Sequence, residues 1–238
     1  EERFRDVPFD PGRTYSMPYM WGTTGIGYRK SAFDATPDSW KWLYDSDAKS
    51  GRMALLKACR TLIAGAHQYL GHSVNTTDAA ELKKAEDLII NQKPHIRTFS
   101  PDMGQRLLMQ RSVDITMEYS GDLVQIQKDD PDVAYVLPKE GGMIWQDNLA
   151  IPNGAPHPEN AHRFINFIHA AKPHAAIAEF IGYGTPNKAA RQHVSDAYLN
   201  NSITFPPDEA IAKCQFPLYI GQDGTEKYQA ACTRIFAA

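Results

Sequence analysis

Apolar positions along this chain fall into two kinds of run, and the two kinds alternate. Short β-favouring runs occur at Pro18–Tyr28, Ile115–Tyr119, Val133–Leu137 and Gly141–Pro152. Between and after them, apolar residues return every three or four positions, which marks one face of a helix. Leu62, Ala66 and Tyr69 share one side of a helix expected over Leu62–Leu70, with Gly71 as its stop. Asp78 with Glu81 reads as a capping box opening the next helix, whose core face is Leu82, Ala85 and Ile89 and whose end is set by Pro94. Ser100-Pro101-Asp102 reads as a helix start, a cap followed by proline at the first helical position, with the helix running to about Gln110. Trp40 and Trp42 flank Lys41 in a short, partly buried helix, and Gly121–Gln127 reads as another short helix. Beyond Pro152 the pattern is helical. Pro158–Ala171 carries Ala161, Phe164, Ile165 and Ile168 on one face, Pro173 opens a helix ending at Gly182, and Thr185-Pro186-Asn187 caps a further one through Ala189 and Ala190. Residues 1–17 read as extended, punctuated by Pro8 and the turn signal Asp10-Pro11-Gly12. Strands alternating with helices predict an α/β class with a mostly parallel or mixed sheet.

One run departs from ordinary core. Gly141-Gly142-Met143-Ile144-Trp145-Gln146-Asp147 places an indole and a carboxylate two residues apart. Side chains two apart on a strand share a face, so Trp145 and Asp147 point the same way. An aromatic plate beside an anion suits an amine, through cation–π contact and charge pairing. The plainer reading is a half-buried strand whose Asp147 begins a turn or caps a neighbour, and spacing leaves both open.

Composition narrows the function classes. A net charge of −3 provides no basic field to hold nucleic acid or acidic lipid. The apolar runs are too short to span a membrane, and the opening Glu1-Glu2-Arg3-Phe4 has no apolar core of a signal peptide. Cys59, Cys214 and Cys232 form no CxxC pair, so neither a zinc site nor any other metal site is expected. Cys214 and Cys232 are near enough in sequence to be bridged, or all three are buried thiols. The histidines, His162, His169 and His174 among them, are scattered and read as helix-surface residues. Gly22-Thr23-Thr24-Gly25-Ile26-Gly27 has the wrong spacing for a dinucleotide loop, and no nucleophile elbow, phosphate loop or zinc-protease motif occurs. No catalytic residue and no cofactor is therefore assigned.

Three motifs taken in order resemble a known family. Pro18-Tyr19-Met20-Trp21-Gly22-Thr23-Thr24-Gly25-Ile26-Gly27, then Pro138-Lys139-Glu140-Gly141-Gly142 through Ile151-Pro152, then Ile181-Gly182-Tyr183-Gly184-Thr185-Pro186-Asn187 are similar to the periplasmic polyamine-binding proteins, the spermidine and putrescine receptors of ABC importers. The resemblance implies an α/β type II periplasmic solute-binding fold of two lobes joined by hinge strands. The strand near Trp21 would cross into the second lobe and the strand near Trp145 would cross back. The division implied is 1–17 as a lead-in, 18–142 as the second lobe, and 143–238 as the C-terminal part of the first. By the same resemblance Trp145 and Asp147 meet a ligand amine, Tyr119 stacks on its aliphatic chain, Asp122 matches a carboxylate of the putrescine-type receptors, and Tyr183 lines the cleft. The partners implied are a small amine ligand (a polyamine or a zwitterion) and the membrane permease of an ABC importer, in a periplasmic or extracytoplasmic setting.

Two departures temper what the resemblance implies. Family receptors usually carry two acids three apart at the start of a second-lobe helix, whereas Ala58-Cys59-Arg60-Thr61 has neither. A family polar cleft position falls at Pro217. Without the acid pair, spermidine in the usual pose lacks a counter-charge at its far end. The family's first third also has no counterpart, so the first lobe is expected to be incomplete, with a second chain as one way of completing it. The other functional classes are a sensor or interaction domain on the same fold with a non-polyamine ligand, and an α/β enzyme.

Overall fold

The computed structural model describes residues 4–7 and 9–238, so Pro8 lies outside the described residues. Its spine is a thirteen-residue strand, β1 (Met17–Arg29), whose last ten residues are buried on both faces. There follow α1 (Lys41–Tyr44), β2 (Met53–Leu56), α2 (Cys59–Tyr69), α3 (Ala79–Gln92), β3 (Ile96–Ser100), α4 (Gly104–Met109), β4 (Ile115–Tyr119), α5 (Ser120–Ile126), β5 (Val133–Val136) and β6 (Met143–Leu149). The remainder is helical: α6 (Pro158–His169), α7 (Ala171–Ile181), α8 (Asp196–Leu199), α9 (Asp208–Ile211) and α10 (Gly221–Ala237).

The sheet is mixed, as the alternation of elements predicts. Its order is β3-β2-β4-β1-β5, with β6 also pairing with β1. β2 runs parallel to β3 and β4, while β1 is antiparallel to β4, β5 and β6. β1 divides its length between partners: Ile26 pairs with Met117 and Val136, whereas Gly22 pairs with Trp145 and Met17 with Leu149. Both faces of the β2–β4–β1 region are covered. Ile26, Leu55 and Met117 pack with Leu62 and Ile63 of α2, Ile89 of α3 and Ile235 of α10. On the other face, Ala54 and Val133 pack with Leu108 of α4 and Leu123 of α5. Trp21 and Ile144, where β1 meets β6, form a separate small cluster with Phe4.

Several local readings hold. Asp78 accepts from the amides of Ala80 and Glu81 at the start of α3, although its own amide donates to the Thr76 hydroxyl instead of closing the box with Glu81, and α7 stops at Gly182 with a φ of 77°. The Asn187 side chain accepts from the amides of Ala189 and Ala190, opening a short 3₁₀ turn over Ala190–His193.

Others are overturned. Over its described residues the lead-in is not extended: buried Asp10 accepts from the amides of Thr14, Tyr15 and Ser16 and from the Ser16 hydroxyl, folding 10–16 around a 3₁₀ turn at Pro11–Arg13. Those donors hold the Asp10 carboxyl below the ordinary range, the Ser16 hydroxyl most of all. Ser100-Pro101-Asp102 does not cap a helix. Ser100 is recruited into β3 opposite Leu56, and the helix begins only at Gly104.

The bridged cysteines are Cys59 and Cys232, with Cα atoms 5.9 Å apart, and Cys214 is free. Nearness in sequence misleads here because α10 returns across α2 and α3 and carries Cys232 away from Cys214. The Arg234 guanidinium of α10 also meets both carboxylate oxygens of Glu86 in α3, at 2.9 and 2.7 Å. Although it follows β6 in the chain, α10 packs against α2 and α3. On the expected core face of α6 only Ile168 is buried, and Phe164 lies open on that same face.

Candidate functional site

β6 sets one wall of a cleft by strand alternation. Met143, Trp145 and Asp147 face the cleft, while Ile144 turns into the cluster around Trp21 and Gln146 accepts a hydrogen bond from Arg13 at 2.8 Å. The shared face expected of Trp145 and Asp147 is therefore present. A second wall comes from the junction of β4 and α5. Tyr119 ends the strand, and Asp122 sits in the first turn of the helix, where an acid is favoured by the exposed amides. Tyr183 arrives from beyond α7 through the left-handed turn at Gly182.

The three rings form one array. Tyr119 meets Trp145 edge-on at 5.7 Å, and Trp145 meets Tyr183 at 5.2 Å. Two glycines make room for it. A Cβ at Gly121 would lie 2.5 Å from the Tyr183 ring, and one at Gly22 would lie 2.9 Å from both Trp145 and Tyr183. The Trp145 indole donates to the Thr24 hydroxyl at 3.2 Å, and the Tyr183 hydroxyl donates to Asp122 at 2.8 Å.

The cleft has a volume of about 490 Å³, in the range of a small-molecule site. All five residues expected at the site (Tyr119, Asp122, Trp145, Asp147 and Tyr183) line it, together with Thr24, Thr61, Asp102, Met143 and Pro217. Its charges are of one sign: Asp102, Asp122 and Asp147 face it, and among the described residues no basic side chain does. Burial raises the Asp122 carboxyl, opposed by the Tyr183 hydroxyl. The surrounding walls raise the Asp147 carboxyl as well. Behind this wall lies Glu118, fully buried, with one carboxylate oxygen accepting from the Tyr119 amide and the other from the Gln105 amide. Burial, reinforced by the charges of Asp122 and Asp102, pushes its carboxyl up to about 8.

Sequence reading missed Asp102 and Glu118. Asp102 is hidden inside an apparent helix cap. Glu118 carries a legible signal, a carboxylate within the apolar strand Ile115-Thr116-Met117-Glu118-Tyr119. Oxygens of Asp102, Glu118 and Asp122 lie within 4.8 Å of one another, the spacing at which three hard donors could share a cation. The Ala58–Thr61 segment contributes Thr61 to the cleft but not Arg60. Arg60 turns away, donating to Asn75 at 2.8 Å and lying 4.5 Å from the centre of the Tyr228 ring.

Comparison with known proteins identifies the family. A family profile described as bacterial extracellular solute-binding protein matches residues 3–206. The chain belongs to that family. Its members bind solutes and are not enzymes. No helix among the described residues is long and apolar enough to cross a membrane. The chain is 34% identical over 215 residues to the spermidine/putrescine-binding periplasmic protein of Salmonella typhimurium, covering 90% of this chain and 62% of that one. It is 32% identical to the putrescine-binding periplasmic protein SpuD of Pseudomonas aeruginosa, covering 94% and 65%. Among solved structures it matches the spermidine/putrescine ABC transporter substrate-binding protein PotD of Streptococcus pneumoniae with a TM-score of 0.86, at 27% identity, over 99% of this chain and 72% of that one. The α/β solute-binding fold expected from the sequence is thus the fold observed, and the chain spans less than two thirds of the length of these periplasmic relatives.

Proposed function

We propose that this chain is part of an extracytoplasmic receptor that delivers a polyamine-type solute to the permease of an ABC importer. The observation that carries the reading is the cleft itself: three aromatic rings and three carboxylates, with no basic side chain among the described residues lining it. An ammonium group gains from an aromatic face and from an unpaired carboxylate at once, and Trp145 with Asp147 provides both. Tyr119 and Tyr183 flank the aliphatic chain, and the Tyr183 hydroxyl orients Asp122. In this reading β1 and β6 are the strands on which the two lobes move, because the residues that pair them also wall the cleft. The resemblance to spermidine- and putrescine-binding relatives supports the ligand class. The remaining part of the first lobe, on this reading, is provided by further polypeptide.

The test is calorimetric titration of the chain with putrescine and spermidine. Asp147→Asn is expected to weaken putrescine binding by about 2 kcal/mol or more, the scale for removing one partner of a desolvated charge pair. Its melting temperature should be nearly unchanged, since Asp147 is exposed in the unliganded cleft. Equal affinity for the variant and the parent would exclude Asp147 as the amine's anchor.

A further inference from the structure

Asp102 and Asp147 stand apart from the other acids of the cleft. Asp122 is held by the Tyr183 hydroxyl and Glu118 by two backbone amides. Asp102 and Asp147 line the same cavity on different elements, one in the β3–α4 connection and the other on β6. Among the described residues no hydrogen bond or ion pair satisfies either carboxylate. Two anions without a protein partner and an aromatic lining in one cavity suit a ligand carrying two separated positive charges.

The rest of the cleft bears on which anion serves the second charge. The start of α2 offers only Thr61 to the cavity, and Arg60 is drawn away by Asn75 and Tyr228, so it neither repels a cation nor attracts an anion there. Asp102 also sits in the left-handed region, with a φ of 46°. Carboxylate oxygens of Asp102 and Asp122 lie within 4.8 Å of one another, so the Asp122 charge deepens the negative potential at that end.

We infer that Asp102 is a specificity-determining residue, holding the far ammonium of a short linear diamine whose near ammonium rests on Asp147. The inference depends on the amine-binding reading of the cleft given above. It relocates the second charge site from the start of α2 to the wall formed by the β3–α4 connection and α5. Asp102 then selects for the second charge, while Asp147 and the rings bind any primary amine.

The experiment compares two probes of equal carbon number, putrescine and n-butylamine, titrated calorimetrically into the parent chain, Asp102→Asn and Asp102→Glu, with EDTA present. Asp102→Asn should weaken putrescine by roughly 5- to 30-fold and leave n-butylamine within about twofold, the scatter expected where no contact is lost. Asp102→Glu, which keeps the charge, should recover most of the putrescine affinity. A loss shared equally by both amines, or no loss for either, would overturn the role given to Asp102 while leaving amine binding intact. Failure of the parent chain to bind either amine would instead overturn the reading of the cleft, and this inference with it.

Discussion

At the scale of single residues, the cleft's carboxylates differ widely in their access to water: Asp102 and Asp147 are exposed, whereas Glu118 behind them is fully buried. Glu118 is the extreme case, because its chain neighbours Met117 and Tyr119 belong to a strand whose environment was built for apolar side chains. Its carboxyl titrates near 8 in the folded chain, against an ordinary value of 4.5. Between those values the native state binds the extra proton and the unfolded state does not, so stability falls as pH rises. The contribution is fully present below about 4.5 and is gone above about 8. Melting temperature should therefore decline across this interval, and Glu118→Gln should flatten the decline by an amount on the order of a few kcal/mol. Thermal unfolding at pH 5 and pH 8, for both proteins, measures it. An unchanged slope in the variant would mean that other groups set the pH dependence.

At the scale of elements, α10 matters more than its position at the end of the chain suggests. It packs on α2 and α3, joins α3 through Arg234 and Glu86, and joins α2 through Cys59–Cys232. The disulfide spans 173 residues of sequence, so it restrains a very long loop in the unfolded chain. It also adjoins Thr61 of the cleft by two positions. Replacing both cysteines by serine is expected to cost about 2–5 kcal/mol, read as a lower denaturant midpoint. A reducing agent should shift the parent chain toward the same midpoint and leave the double variant where it is. A parent chain indifferent to reduction would remove the disulfide from the account of stability.

At the scale of the whole molecule, burial is uneven. The body around β2, β4 and the later part of β1 is covered on both faces, whereas α6 and α7 leave Phe164, Phe167 and Phe180 at 59, 65 and 77% exposure. Large exposed apolar patches drive association. The chain studied alone should self-associate in sedimentation velocity as concentration rises. Phe164→Glu with Phe167→Glu should shift it toward the monomer without lowering the melting temperature, because neither ring is packed in the described core. A monodisperse parent chain at high concentration would count against this.

What the sequence by itself determined were features written in short-range chemistry. Alternation along β6 put Trp145 and Asp147 on one face, Asp78 capped α3, Gly182 stopped α7, and strands alternating with helices gave the α/β class. The ordered motifs also pointed to the family. Each of these rests on residues within a few positions of one another, or on motif order, so a linear reading reaches them. What only the tertiary structure decided were matters of which distant segments meet. Asp102 entered the cleft because Ser100 was claimed by the sheet, Cys59 found Cys232 because α10 folds back across α2, and Arg60 left the cleft because Asn75 and Tyr228 wait on its other side. Those outcomes depend on competition between partners far apart in the chain, where the packed arrangement outweighs the local preference of any one segment.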